Sequence, residues 1–146
     1  MKEHRHIISN KLRYYQQRID ELKTEIKNCK ISIDDLRMPL RATSYDKEPG
    51  KGENQSPVET AIIEIEKYER RIIRAEKEKD KCKNDFEKFI SPLDYIHGSI
   101  IRYYYIDRLK AVQIGIKTNY STDSIKRLIA EAQDILYNTY KNTAQL

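Results

Sequence analysis

The chain has 146 residues, of which 35% are charged and 38% belong to the apolar set, with no Trp and two Phe against eleven Tyr. That length excludes a multidomain enzyme, and that composition excludes a large globular core. The net charge of +5, from 28 Lys and Arg against 23 Asp and Glu, favours an anionic partner without specifying one.

At the N-terminus, Met1-Lys2-Glu3-His4-Arg5-His6 leads through Ile7-Ile8 into Ser9-Asn10-Lys11. This is not the apolar centre of a secretory signal, and no later apolar run approaches the roughly 18 residues of a membrane span. A cytoplasmic protein with no membrane partner is expected. His4 and His6 fall on what reads as a frayed terminus.

From Ile8 the apolar positions run Ile8, Leu12, Tyr15, Ile19, Leu22, Ile26, Cys29, Ile33 and Leu36, with spacings alternating between 4 and 3. This is the a/d seam of a coiled coil. A second seam runs Ala61, Ile65, Tyr68, Ile72, Ala75, Lys79, Cys82, Phe86 and Phe89, with Lys79 its charged intruder. Each seam predicts a helix of roughly 43 Å at ~1.5 Å per residue. Equal lengths suit an antiparallel hairpin, although a dimerising coiled coil uses the same pattern and a homodimer stays open. Cys29 and Cys82 occupy seam positions and read as reduced core residues.

Residues 37–57 carry Pro39, Pro49, Gly50 and Gly52 and read as a polar loop, a long one for a helix connection. Ser56-Pro57-Val58-Glu59 then marks a helix start, with Ser as N-cap, Pro in the first turn and Glu three residues after the cap. Residues 58–90 hold nine basic and nine acidic side chains, a balanced, solvated face.

Ser91-Pro92 ends this region, and residues 1–90 are read as one helical domain. Residues 91–146 hold seven of the eleven Tyr and form a second module. The stripe Leu93, Ile96, Ile100 and Tyr104 predicts a helix ending near Ile106-Asp107-Arg108, with Gly98 a weak point inside it. Residues 109–116 form a short helix and Lys117-Thr118-Asn119-Tyr120 a turn, Asn being tolerant of a left-handed backbone. Ser121 or Thr122 then caps a last helix with the apolar stripe Ile125, Leu128, Ile129, Ala132, Ile135 and Leu136.

Two short helices around a tight turn, with small polar residues opening the second, match a helix-turn-helix. Gly115 lets the helices approach, and Ile114, Tyr120, Ile125 and Leu128 bury their joint. Thr122, Asp123 and Lys126 then point toward base edges, and Ser121, Arg127 and Lys117 toward phosphates. Residues 110–127 hold Lys110, Lys117, Lys126 and Arg127 against Asp123, a balance of 4 − 1 = +3. Asp123 is repelled by phosphate; it can accept from a cytosine amino group or favour the helix N-terminus through its dipole. The fold class expected is thus all-α, a long antiparallel helical hairpin followed by a C-terminal helix-turn-helix.

The order of two heptad helices, a polar loop with Met38-Pro39, and then the run from Ile100 through Arg102-Tyr103-Tyr104 to Ile129 resembles the phage late-gene transcriptional regulators of the RinA/ArpU type. Their last third is similar to the helix-turn-helix of sigma-factor region 4. The resemblance covers the chain in organisation and residues 96–136 in motif. It implies that Ser121-Thr122-Asp123-Ser124 enters the recognition helix, and that Ile125-Lys126-Arg127 is its buried residue followed by basic ones. Gly115, Asn119 and Thr118 depart from the Ala, Gly and apolar residue usual there.

The function expected is DNA-binding control of transcription, activating late genes, with double-stranded DNA as partner. One alternative is an interaction module for host RNA polymerase or a small regulatory protein, and another a DNA-packaging recognition subunit. No phosphate loop, nucleophile elbow or acid–base cluster suggests an enzyme. No cofactor or metal site is expected.

Overall fold

The computed structural model describes residues 2–43 and 56–146. Every regular element among them is helical: α1 (Lys2–Thr43), α2 (Pro57–Phe89), α3 (Tyr95–Ile101), α4 (Ala111–Thr118) and α5 (Thr122–Tyr140). A π-helical turn, Arg102–Ile106, continues α3. The chain is all-α, and no helix among the described residues is long and apolar enough to cross a membrane.

In α1 the seam is buried along its length: Ile8, Leu12, Tyr15, Ile19, Leu22, Ile26, Cys29 and Ile33 are between 0 and 8% exposed. In α2, Ile65, Ala75, Cys82, Phe86 and Phe89 are buried, while Ala61, Tyr68, Ile72 and Lys79 are half-buried. The start of α2 matches its sequence signal, because Ser56 Oγ accepts from Glu59 N at 3.1 Å. The end of α1 does not. The loop expected from residue 37 begins later, since α1 continues through Pro39 to Thr43. Leu40 keeps the spacing of four from Leu36, and the Met, Leu, Arg and Ala around Pro39 favour helix. One interior proline, at about 3 kcal/mol, does not end it. The remainder of that loop, residues 44–55 with Pro49, Gly50 and Gly52, lies outside the described residues.

The chain divides into two compact units, Met1–Arg18 with Cys82–Leu146, and Ile19–Lys81. In the second unit α1 and α2 meet through Glu25 and Arg71, 3.5 Å apart. Ile31, Ile62, Ile63 and Ile73 stay 38–53% exposed there.

The first unit is packed from five directions. Ile8 and Leu12 of α1, Phe86 and Phe89 of α2, Ile100 and Ile101 of α3, Ile114 of α4, and Ile125, Ala132 and Leu136 of α5 share one core. This core crosses the module boundary at Ser91-Pro92 and takes in the start of α1. Phe89 stacks on Tyr140 with centroids 4.7 Å apart, and the Tyr140 hydroxyl donates to the Phe89 carbonyl at 2.8 Å. Burial pushes the Tyr140 phenol above its ordinary pKa.

His4, expected on a frayed end, is instead fixed. Its Nε2 lies 2.7 Å from Asp134 Oδ1, and its ring stacks on Tyr137 at 4.7 Å. Arg5 donates to both oxygens of Asp134, at 2.8 and 2.9 Å. These hydrogen bonds, Arg5 first, hold the Asp134 carboxyl below its ordinary range.

The stripe expected at Leu93, Ile96, Ile100 and Tyr104 is corrected in part. Ile100 is buried and Leu93 and Tyr104 pack partly buried against the core, but Ile96 is 44% exposed, and Ile101 and Tyr105, outside the expected stripe, are buried as well. Leu93 precedes the Asp94 cap of α3, so the stripe does not start on the helix. The π turn, in which Asp107 N donates to Arg102 O at 3.1 Å across five residues, carries Tyr105 into the core. There the Tyr105 hydroxyl donates to Ser9 at 3.1 Å and accepts from Gln133 at 3.0 Å. Gln16 donates to the Tyr105 carbonyl at 2.7 Å, satisfying a backbone acceptor at the widened turn.

Candidate nucleic-acid interface

α4 opens with Lys110 N donating to Gln113 Oε1 at 2.8 Å. It runs through Lys117 and Thr118, two residues read from sequence as turn. The Thr118 hydroxyl donates to Ile114 O at 2.7 Å and closes the last turn. The link to α5 is therefore Asn119-Tyr120-Ser121. Asn119 ends α4 at φ 65, ψ 22, the left-handed conformation its side chain tolerates.

Gly115 is required by close approach. A Cβ placed on it would stand 2.7 Å from the Tyr120 carbonyl oxygen. That contact also explains Tyr120 itself, expected to bury the joint but 41% exposed: its backbone, not its ring, faces the helix. Ile114, Ile125 and Leu128, at 0, 0 and 8% exposure, form the joint. Ile135, expected on the buried stripe, is 37% exposed, because at 100° per residue it sits roughly 80° from the stripe centre.

Ser121 caps α5. Its Oγ accepts from Ser124 N at 3.1 Å, and its hydroxyl donates to Ser124 Oγ at 2.9 Å. Both serines of the expected contact set are thus engaged in forming the helix start. Asp123 lies in the first turn, where its charge complements the helix dipole. Asp123, Lys126 and Arg127 are exposed, and Thr122 and Ser124 are half-buried. Lys117 is exposed on α4, with Nζ 5.1 Å from the Tyr103 ring centroid. The aromatic face steadies this ammonium while leaving it in solvent.

Arg127 belongs to a network that local sequence does not reveal. Its guanidinium lies 3.7 Å from Glu131, one helical turn on. The other Glu131 oxygen is 3.2 Å from His97 Nε2, and His97 Nδ1 is 2.8 Å from Asp94, which also caps α3 by accepting from His97 N at 2.9 Å. Burial works against the charged imidazole, but hydrogen bonds to Asp94 and Glu131 outweigh it and hold the His97 pKa above its ordinary 6.5. Asp94 before a helix is a readable cap; the Glu131 partner, 34 residues away, is not.

Among the described residues no group of three His, Cys, Asp or Glu side chains forms a metal site. The geometry offers hydrogen-bond donors and cations along one helix edge, suited to an anionic surface. Compared with family models, curated proteins and solved structures, the chain matches none.

Proposed function

We propose that α4, the Asn119-Tyr120-Ser121 link and α5 form a helix-turn-helix, and that the protein is a sequence-specific DNA-binding transcription regulator. The observation that carries this reading is the joint. A left-handed Asn119, a Gly115 where any Cβ would press on the Tyr120 backbone, and a Ser121-capped α5 set the two helices against each other while Asp123, Lys126 and Arg127 face solvent. An exposed helix N-terminus with short polar and basic side chains fits a major groove. In this reading α1 and α2 form an antiparallel hairpin, consistent with the Glu25–Arg71 contact, and the target is a late promoter of a phage, as the resemblance implies.

Gel shifts on DNA upstream of the genes it controls test this. Lys126→Ala with Arg127→Ala should weaken binding, lower its salt slope by about 0.9 through the lost Arg127 phosphate contact, and relax sequence preference through the lost Lys126 base contact. Unchanged affinity and slope would remove the assigned surface.

A second reading, an interaction module for RNA polymerase or a regulatory partner, is favoured by the outer face of α4. Val112 and Ile116, one turn apart, are 55 and 77% exposed. Polymerase retention in the absence of DNA, lost in Ile116→Ser, would separate the two.

A further inference from the structure

His97 of α3 stands between two carboxylates. Its Nδ1 lies 2.8 Å from Asp94 Oδ1, and its Nε2 lies 3.2 Å from Glu131 Oε1 on α5. A neutral imidazole carries one N–H and can donate to only one of them, whereas the imidazolium donates to both. The arrangement therefore selects the protonated ring, and although burial opposes the charge, the His97 pKa lies above 6.5. Asp94 and Glu131 are the charges that act on it. Cations of neighbouring elements are engaged elsewhere: Arg102 of the π turn donates to Glu87 of α2 at 2.7–3.0 Å, and Arg5 of α1 donates to Asp134.

The second oxygen of Glu131 reaches the other way, to the Arg127 guanidinium at 3.7 Å. One carboxylate is thus shared between a sheltered cation and an open one, since the His97 side chain is 14% exposed and that of Arg127 66%. While His97 is charged, the shorter and drier contact holds Glu131 inward and offsets its charge. When the proton passes to solvent, a ring with a single N–H keeps Asp94, the nearer carboxylate and the cap of its own helix. Glu131 is then an unbalanced anion beside Arg127. There it competes with an incoming phosphate for the guanidinium and repels that phosphate.

We infer that Glu131 and His97 are positioning residues for the phosphate contact of Arg127: the imidazolium draws the Glu131 carboxylate away from the guanidinium, and its deprotonation returns that carboxylate and weakens DNA binding. The inference rests on the DNA-binding reading above and adds to it a control exerted from α3. Because the ligand is phosphate, the effect carries no sequence preference.

The test measures binding of the full chain to upstream and scrambled duplexes between about pH 6 and 9, below the ordinary Tyr and Lys range, with melts confirming that each protein stays folded. Wild-type affinity should fall roughly threefold to tenfold across this window on both duplexes, the effect of one charge a few ångströms from a phosphate in surroundings close to water. His97→Asn, which keeps a donor toward Asp94 and none toward Glu131, should bind at the weaker level throughout. Glu131→Gln should abolish the fall. The decisive arm is His97→Asn combined with Glu131→Gln, which should regain the tighter binding, whereas a purely structural role for the pair would leave it as weak as His97→Asn alone. If wild type binds and Arg127→Ala weakens it, but the pH profile persists in His97→Asn or the double variant is not restored, the inference falls and the DNA-binding reading stands. If wild type binds neither duplex at low salt, both fall. A fall confined to the upstream duplex would overturn the assignment to phosphate, since it requires a base contact.

Discussion

The two compact units are built from the same pair of helices but solve the burial problem differently. In Ile19–Lys81, α1 and α2 each bury one apolar stripe, and Ile31, Ile62, Ile63 and Ile73 remain uncovered. In the other unit, the start of α1 and the end of α2 are wrapped by α3, α4 and α5, so Ile8, Leu12, Ile101, Ile114 and Leu136 are wholly buried. A seam needs only periodicity, whereas a core enclosed by several elements needs shape. The second requirement also brings buried polar groups, such as the Tyr105 hydroxyl with Ser9 and Gln133, each of which must be satisfied.

Core truncation should expose this difference most strongly. Leu136→Ala, at a site with no exposure, is expected to cost about 3–5 kcal/mol, and Ile26→Ala in the seam about 2 kcal/mol. Urea unfolding of both variants checks it, and equal costs would erase the distinction.

The two buried glycines of the enclosed unit give the next effect, with opposite signs. Gly115→Ala must displace the Tyr120 backbone and should cost about 1–3 kcal/mol; under the proposed function it should also weaken DNA binding. At Gly98 a Cβ meets only side-chain atoms at 3.7–3.9 Å, so Gly98→Ala should stabilise by about 0.5–1 kcal/mol through helix propensity. Thermal melts resolve both.

The smallest effect is that of pH, and it belongs to the enclosed unit. The raised His97 pKa means that its bonds to Asp94 and Glu131 stabilise the fold fully below 6.5 and are lost as pH rises through the higher folded value. The lowered Asp134 pKa means that its bonds to Arg5 and His4 are fully present above 3.8 and lost as pH falls through the depressed value. The melting temperature should therefore be highest between these limits, and His97→Gln should remove the alkaline decline alone.

Much of this architecture is legible in the sequence, because heptad spacing and caps are local signals. The seam from Ile8 to Ile33, the Ser56 start of α2, the left-handed Asn119 and the Ser121 cap of α5 all follow from residues within one or two turns. What the sequence conceals is non-local. Asp134 selects His4 and Arg5 from 130 and 129 residues away, and no periodicity encodes that choice. The π turn is hidden for another reason. Arg102-Tyr103-Tyr104-Tyr105-Ile106 carries no helix breaker, and the widened turn is supported by side chains of α1 and α5 that bond Tyr105. Within the candidate interface the exposed Lys126 and Arg127 were readable from the helical wheel, while the tether from Arg127 through Glu131 to His97 needed the fold.

The joining of Arg5 to Asp134 also bears on how the molecule is made. At a ribosomal rate of about 5–20 residues per second, the first turns of α1 wait on the order of ten seconds before their partner emerges. During that interval Ile8 and Leu12 lack most of the cover they have in the finished protein. Nascent chains stalled before Asp134 should therefore be cleaved readily within α1 by added protease, and chains released after Tyr140 should resist it.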